Sequence, residues 1–212
     1  MLVLAHRGAC WDAPENTLEA FELAIEEGAD YVEFDVRARA GELVICHDPV
    51  PPPGLSTLDE VLSALKGRIG LAVEIKEPET ADAVLDALEA HEIDPEALLV
   101  LSFHIPALEA VRRRRPELRC VVHLGARPDP PTAAGFWGVG LKDSRARPKL
   151  IQLAQSLGLA VLVFTVNEPA RMLELAARGV DGIFSDQPAL LRETLAAAPD
   201  AAPGRSRPES SL

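Results

Sequence analysis

Apolar and polar positions along the chain fall into blocks of two kinds. Short runs rich in Val, Leu, Ile and Phe occur at LVLA (2–5), YVEFDV (31–36), LAVEI (71–75), LLVLSF (98–103), CVVHL (120–124), WGVGL (137–141), AVLVFTV (160–166) and GIFS (182–185). Their length and β-branched content predict strands. Between most of them lie stretches with apolar residues at i, i+3 and i+4, such as NTLEAFELAIEEG and PKLIQLAQSLG, which predict amphipathic helices. Both end in glycine, Gly28 and Gly158, as helix C-termini favour. Asn16 is the expected N-cap of the first, with Glu19 completing a capping-box-like pattern.

Eight strands alternating with helices predict a parallel sheet, and eight is the number that closes an α/β TIM barrel, (β/α)8. The barrel is expected to be a single domain over residues 1–196, with 197–212, rich in Pro, Ser and Ala, as a disordered tail. An open doubly wound sheet is the alternative topology, but no Gly-x-Gly-x-x-Gly or Walker-type loop supports a nucleotide-binding version. Two irregularities stand out. GARPDPPTAAG (125–135) holds too many breakers for the helix due after the fifth strand. LVICH (43–47) reads as an extra strand folding back on the second through a turn at Ala40-Gly41.

Strand alternation sorts the polar residues. In YVEFDV, Val32, Phe34 and Val36 share one face, and Glu33 and Asp35 the other; in LAVEIK, Glu74 and Lys76 oppose Val73 and Ile75. With the apolar sets packed on outer helices, the acids point into the barrel near its C-terminal mouth. A lone Glu-x-Asp pair is more readily an exposed strand edge. A second acid-bearing strand points to a site, because three converging carboxylates repel unless a cation balances them. Oxygen ligands of this kind suit Mg²⁺ or Ca²⁺. Four of five histidines (His6, His47, His104, His123) fall at or near strand ends, where such barrels carry their active sites, and His91 ends a helix. For His104 and His123 a loop hydrogen bond is the simpler expectation.

Bulk properties narrow the function. A formal net charge of −12 argues against nucleic acid and against anionic membranes. The run Arg112 to Arg115 closes a predicted helix, where cations suit the dipole. Three cysteines without a Cys-x-x-Cys pair predict neither a disulfide framework nor a cysteine zinc site. The opening apolar run is too short for a signal peptide, and no segment is long enough to span a bilayer, so the expected location is cytoplasmic.

The ordered series AHRG, PENT, EFDV, HDP, EIK, SF, FTVN and GVDGIFSDQP resembles the glycerophosphodiester phosphodiesterase family over roughly residues 1–192. Each motif is weak alone; the ordered combination is specific. The resemblance implies a (β/α)8 barrel that hydrolyses glycerophosphodiesters to glycerol 3-phosphate and an alcohol. It implies one divalent cation, Mg²⁺ or Ca²⁺ with Mn²⁺ as a third candidate. It assigns His6 and His47 as the acid/base pair, and Glu33, Asp35 and Glu74 as metal ligands. Arg7 and Lys76 would hold the phosphate, and Phe164 would line the substrate site.

Three departures bear on substrate choice. Phe164 replaces the family's usual Trp, keeping an apolar wall without the indole N–H. VRARAGELVICHD lacks the usual Thr-x-Asp-Gly and is one residue shorter. Only PVPPPGLS joins Asp48 to Thr57, where family members commonly carry a long capping insertion, so a more open pocket is expected. The expected partner is a small-molecule diester, with no nucleic acid and no stable membrane association. Rival functions are a lysophospholipase D-type activity on the same site, a catalytically silent phosphoester-binding barrel, and a metal-dependent lyase or aldolase.

Overall fold

The computed structural model describes residues 1–50, 52–125 and 129–197. The strands are β1 (Leu2–Ala5), β2 (Tyr31–Arg39), β3 (Glu42–Ile45), β4 (Gly70–Ile75), β5 (Leu98–Ser102), β6 (Arg119–Leu124), β7 (Gly138–Lys142), β8 (Ala160–Phe164) and β9 (Gly182–Ser185). The helices are α1 (Leu18–Glu26), α2 (Leu58–Leu65), α3 (Ala81–Ala90), α4 (Ile105–Arg114), α5 (Pro148–Ser156), α6 (Pro169–Ala177) and α7 (Pro188–Ala196). All strands except β3 run parallel, and β1 pairs with both β2 and β9, closing an eight-stranded barrel. The TIM-barrel expectation is met and the open sheet is excluded.

The strand-face argument holds as well. Val32, Phe34, Val36, Val73 and Ile75 pack in the layer between strands and helices. The lumen holds a separate cluster built on Leu4, Tyr31, Ala72, Leu99, Leu101, Val121, Leu162 and Phe184. At its lower end the Arg119 guanidinium lies over the Trp137 ring and donates to the Tyr31 hydroxyl at 2.9 Å. Burying a side chain such as Phe34 or Leu62, both fully inaccessible, contributes on the order of 1.5–3 kcal/mol.

The irregular stretches follow their chemistry. Ala40 and Gly41 both take positive φ (49° and 89°) and turn β2 into antiparallel β3, pairing Val36 with Ile45 and Arg39 with Glu42. That ladder carries β2 three residues past the expected Val36. No α-helix joins β6 to β7 among the described residues; a short 3-10 turn (Pro130–Ala133) precedes β7. The expected tail lies, from residue 198 onward, outside the described residues.

One local expectation is corrected. Thr17, not Asn16, caps α1, its hydroxyl accepting the Ala20 N–H at 3.2 Å. Asn16 takes a left-handed conformation (φ 58°), which Asn tolerates better than most residues, and its side chain goes to the barrel instead. The full capping box lies on α2, between Thr57 and Glu60.

Candidate active site

Glu33 and Asp35 project inward from β2, and Glu74 from β4, where Asp35 and Glu74 are direct register partners. Like charges opposite one another destabilise a sheet. Lys76 resolves the conflict, its Nζ lying 3.0 Å from Asp35 Oδ1 and 2.8 Å from Glu74 Oε1. From the other side the Arg7 backbone N–H donates to Glu33 Oε2 at 2.9 Å, and its Nε lies 3.2 Å from Asp35 Oδ2 as an ion pair without hydrogen-bond alignment. Asn16 grips Asp35 twice: its Nδ2 donates to Oδ2 at 2.9 Å, and its Oδ1 accepts the Asp35 N–H at 3.2 Å.

This loop is held tightly. Arg7 and Gly8 take φ of 56° and 87°. A Cβ at Gly8 would stand 2.6 Å from that of Ala20, so only glycine lets the loop lie against α1.

All three carboxylates are buried, yet their environments differ. Burial, with the Asp35 and Glu74 charges added, raises Glu33 well above the usual carboxylate range. Burial acts in the same direction on Asp35, but Lys76, Arg7 and the Asn16 hydrogen bond outweigh it and hold Asp35 below its ordinary value. Lys76 is raised: burial, which lowers it, is overcome by Glu74 and Asp35. One oxygen from each acid lies within 4.8 Å of the others. Three carboxylates face two fixed cations, Arg7 and Lys76, leaving a deficit of positive charge among hard oxygen donors. A divalent cation fits that deficit.

β9 pairs with β1 so that Ser185 stands beside Ala5, and the next residues on each strand, His6 and Asp186, therefore meet. His6 Nδ1 and Asp186 Oδ1 are 2.8 Å apart. Asn167 donates to Asp186 Oδ2 at 2.6 Å and accepts its N–H at 2.9 Å, while the Cys10 thiol donates to Oδ1 at 3.2 Å. Burial tends to raise Asp186, but the His6, Asn167 and Cys10 bonds pull it down to about 2, so it is ionised at neutral pH. Burial first, and then the Asp186 contact, push the Cys10 thiol up to about 12, leaving it protonated. With Nδ1–H bound to a carboxylate, the imidazole keeps Nε2 for proton transfer.

His47 arrives by a different route. The β2–β3 hairpin carries it to the mouth, where its carbonyl accepts from Arg37 Nε at 3.0 Å and its ring is 42 % exposed. The short connection to α2 returns at once to β3, the Ile45 N–H donating to the Ser56 carbonyl at 2.9 Å.

His6, Arg7, Glu33, His47, Glu74, Lys76 and Phe164 line one open cavity of about 500 Å³; Asp35, 1 % exposed, lies behind it. Every sequence-expected site residue is thus at this mouth. Phe103, Phe184 and His123 complete its apolar wall, and Lys142, Ser144 and Arg145 stand on its β7 rim. His104 is exposed with no side-chain cap bond, and His91 pairs with Asp59 at 2.9 Å far from the rim.

Sequence reasoning missed Asn16, Asn167, Asp186 and His123. Asn16 was legible as a residue able to leave the helix; Asn167 and Asp186 as polar residues just past the ends of β8 and β9, beside the His6 strand. His123 carried only its place near a strand end, for which a loop hydrogen bond is the simpler expectation. It is 6 % exposed, and burial pushes it below the ordinary imidazole value, which leaves the ring neutral.

Fold and rim together define a TIM barrel with an acidic, histidine-bearing site at the C-terminal mouth of its strands. The sequence profile of the Glycerophosphoryl diester phosphodiesterase family matches residues 6–67 and 50–190, and the chain belongs to that family. The glycerophosphodiester phosphodiesterase of Caldanaerobacter subterraneus subsp. tengcongensis is 25 % identical, covering 90 % of this chain and 96 % of its own. Among solved structures, a phosphodiesterase of Oleispira antarctica in complex with the product sn-glycerol-3-phosphate has a TM-score of 0.84 at 26 % identity, covering 93 % of this chain and 97 % of that one. The glycerophosphodiester phosphodiesterase of Agrobacterium tumefaciens str. C58 has a TM-score of 0.76 at 26 % identity, covering 91 % and 99 %. The Caldanaerobacter alignment runs over 239 positions, more than the 212 residues here. The two profile matches overlap at residues 50–67, across the short connection that leads from Asp48 to Thr57.

Proposed function

We propose that this phosphodiesterase hydrolyses small glycerophosphodiesters to glycerol 3-phosphate and an alcohol. Glu33, Asp35 and Glu74 would hold a divalent cation, and His6 and His47 would move the protons. The observation that carries this reading is the convergence of three buried carboxylates, two cations and a carboxylate-backed histidine on one cavity. The Oleispira relative bound to sn-glycerol-3-phosphate supports the product.

Each residue has a distinct task. When bound, the divalent cation supplies Lewis-acid polarisation of the phosphoryl group. Arg7 and Lys76 offset charge on the phosphoryl oxygens. His6 takes the proton of the attacking hydroxyl or water, and ionised Asp186 stabilises the imidazolium that results. His47, exposed at the mouth, gives a proton to the departing alcohol as its P–O bond breaks. Phe164 walls the site on the β8 side.

The test is release of glycerol 3-phosphate from glycerophosphocholine and glycerophosphoethanolamine, with and without EDTA. Either histidine changed to Ala should cost roughly 10²–10⁴-fold in rate with folding largely spared. A p-nitrophenol leaving group needs no proton, so His47→Ala should recover on that diester while His6→Ala should not. Near-wild-type turnover in both variants contradicts the assignment, and recovery of His6→Ala alone reverses the two roles.

A second reading rests on exposed apolar residues at the same rim, Trp11 (64 %), Val50 (84 %) and Phe103 (43 %). They favour a lysolipid reaching the uncapped mouth. Lysophosphatidylcholine hydrolysed faster than glycerophosphocholine would establish that reading.

A further inference from the structure

His123 is a polar ring in an apolar setting. Phe103 stacks on it at 5.0 Å between centroids, and Phe164 and Phe184 meet it at 4.6 and 6.0 Å. Its register partner on β7 is Gly140. A Cβ there would lie 2.1 Å from Nδ1, so the imidazole occupies space that any other residue would fill. Among the described residues only three buried side-chain polar atoms lack a hydrogen-bond partner, and His123 Nδ1 is one of them. The other two belong to arginines that each donate through another guanidinium nitrogen.

A buried polar group without a partner costs free energy, and an apolar ring would fill this niche without that cost. The other nitrogen explains its presence. Nε2 lies 4.0 Å from Glu74 Oε2, the carboxylate oxygen that Lys76 does not hold. A proton on Nδ1 would be buried unpaired against Gly140, so the favoured neutral tautomer carries it on Nε2, towards the carboxylate. The gap is too long for a hydrogen bond. Aromatic walls and Gly140 pin the ring, whereas the terminal torsion of a glutamate is soft, so Glu74 is the partner that moves.

We infer that His123 is a positioning residue for Glu74, its Nε2–H engaging Oε2 when a divalent cation enters and so fixing the carboxylate as a ligand. The inference rests on the proposed metal role of Glu74. It also gives a reason for a buried imidazole whose Nδ1 has no hydrogen-bond partner: the ring is arranged for the ligand set. Outer partners of metal ligands commonly change affinity by 10- to 100-fold when removed.

The test uses the full chain and Mn²⁺ alone as probe, read by calorimetry, together with the melting temperature in EDTA. His123→Leu is expected to weaken Mn²⁺ binding by about tenfold or more, while its melting temperature in EDTA stays level or rises. His123→Gln, which retains a donor, should recover part of the affinity, and Gly140→Ala, which displaces the ring, should weaken it. Unchanged Mn²⁺ affinity in His123→Leu overturns the inference, and so does weaker binding accompanied by a fall in melting temperature, which marks a packing role. Absence of Mn²⁺ binding in the wild-type chain instead overturns the metal reading beneath it.

Discussion

The two sides of the barrel mouth are built on opposite rules. On the side of β1, β2, β4 and β9, polar groups hold one another: Lys76 bridges Asp35 and Glu74, Asn16 clamps Asp35, and Asp186 ties His6 to Asn167 and Cys10. Two non-glycine residues there, Arg7 and Asn16, keep left-handed backbone to make these contacts. On the side of β5, β6 and β8, Phe103, Phe164 and His123 meet through ring faces and edges. A network of buried charges is costly to disturb, because each deletion strands a partner. An aromatic wall loses only contact area. The first side therefore sets the chemistry, and the phenyl rings of the second, Phe103 and Phe164, set the shape; substitutions should divide accordingly.

The largest effect is expected at Asp35. Asp35→Ala leaves Lys76 and Arg7 buried beside fewer anions, and should destabilise the protein by about 3–5 kcal/mol as well as abolish turnover. Urea unfolding followed by far-UV circular dichroism measures the first effect. A loss under about 1 kcal/mol would mean the pairs are solvent-screened and the comparison is drawn too sharply.

Asp186→Asn comes next. The amide keeps the shape but removes the charge that stabilises a protonated His6, so kcat should fall about 10²-fold with KM little changed. Because Asp186 sits at about 2 in the folded protein, against roughly 3.9 in an unfolded chain, it contributes stability above pH 4. That contribution is lost as pH falls from 4 through 2. Asp186→Asn should therefore lessen the acid-side loss of stability in thermal melts across that range.

Glu33 has the opposite sign. Its folded pKa is raised, so its contribution is present below the unfolded value of roughly 4.3 and declines as pH rises through the folded value. In EDTA, melting temperature should decline over that window; added Mg²⁺ or Mn²⁺ should reverse the decline, with the gain growing as pH rises. A metal-induced gain independent of pH would remove Glu33 from the ligand set.

The smallest effect belongs to the aromatic side. Phe164→Ala should raise KM about 5- to 30-fold through lost contact area, roughly 1–2 kcal/mol, and leave kcat nearly intact. A large kcat loss there would break the division between chemistry and shape.

The same division governed what could be read in advance. Period-two alternation placed Glu33, Asp35, Glu74 and Lys76 on one lumenal face, because inner and outer layers of a barrel select opposite side chains. The β2–β3 hairpin followed from Ala40-Gly41, and the absence of an α-helix before β7 among the described residues from the prolines of 128–131. Asn16 misled because Asn before an apolar helical run has the same local signature whether it caps the helix or leaves it. Asp186 and His6 stand 180 residues apart, and only barrel closure between β1 and β9 joins them. His123 escaped for a different reason: its partners Gly140, Phe103 and Phe164 come from three other segments, and no local pattern reports an emptied niche.

The measurement that bears most directly on the central claim is the initial rate of glycerol 3-phosphate release after EDTA stripping, titrated with Mg²⁺, Ca²⁺ or Mn²⁺, for wild type and Glu74→Gln in parallel. Saturable reactivation of the wild type by at least one of these cations is expected, with Glu74→Gln requiring far more metal or remaining inactive. Full activity in EDTA, or identical metal dependence in the two proteins, would contradict the assignment of this carboxylate cluster as the catalytic metal site.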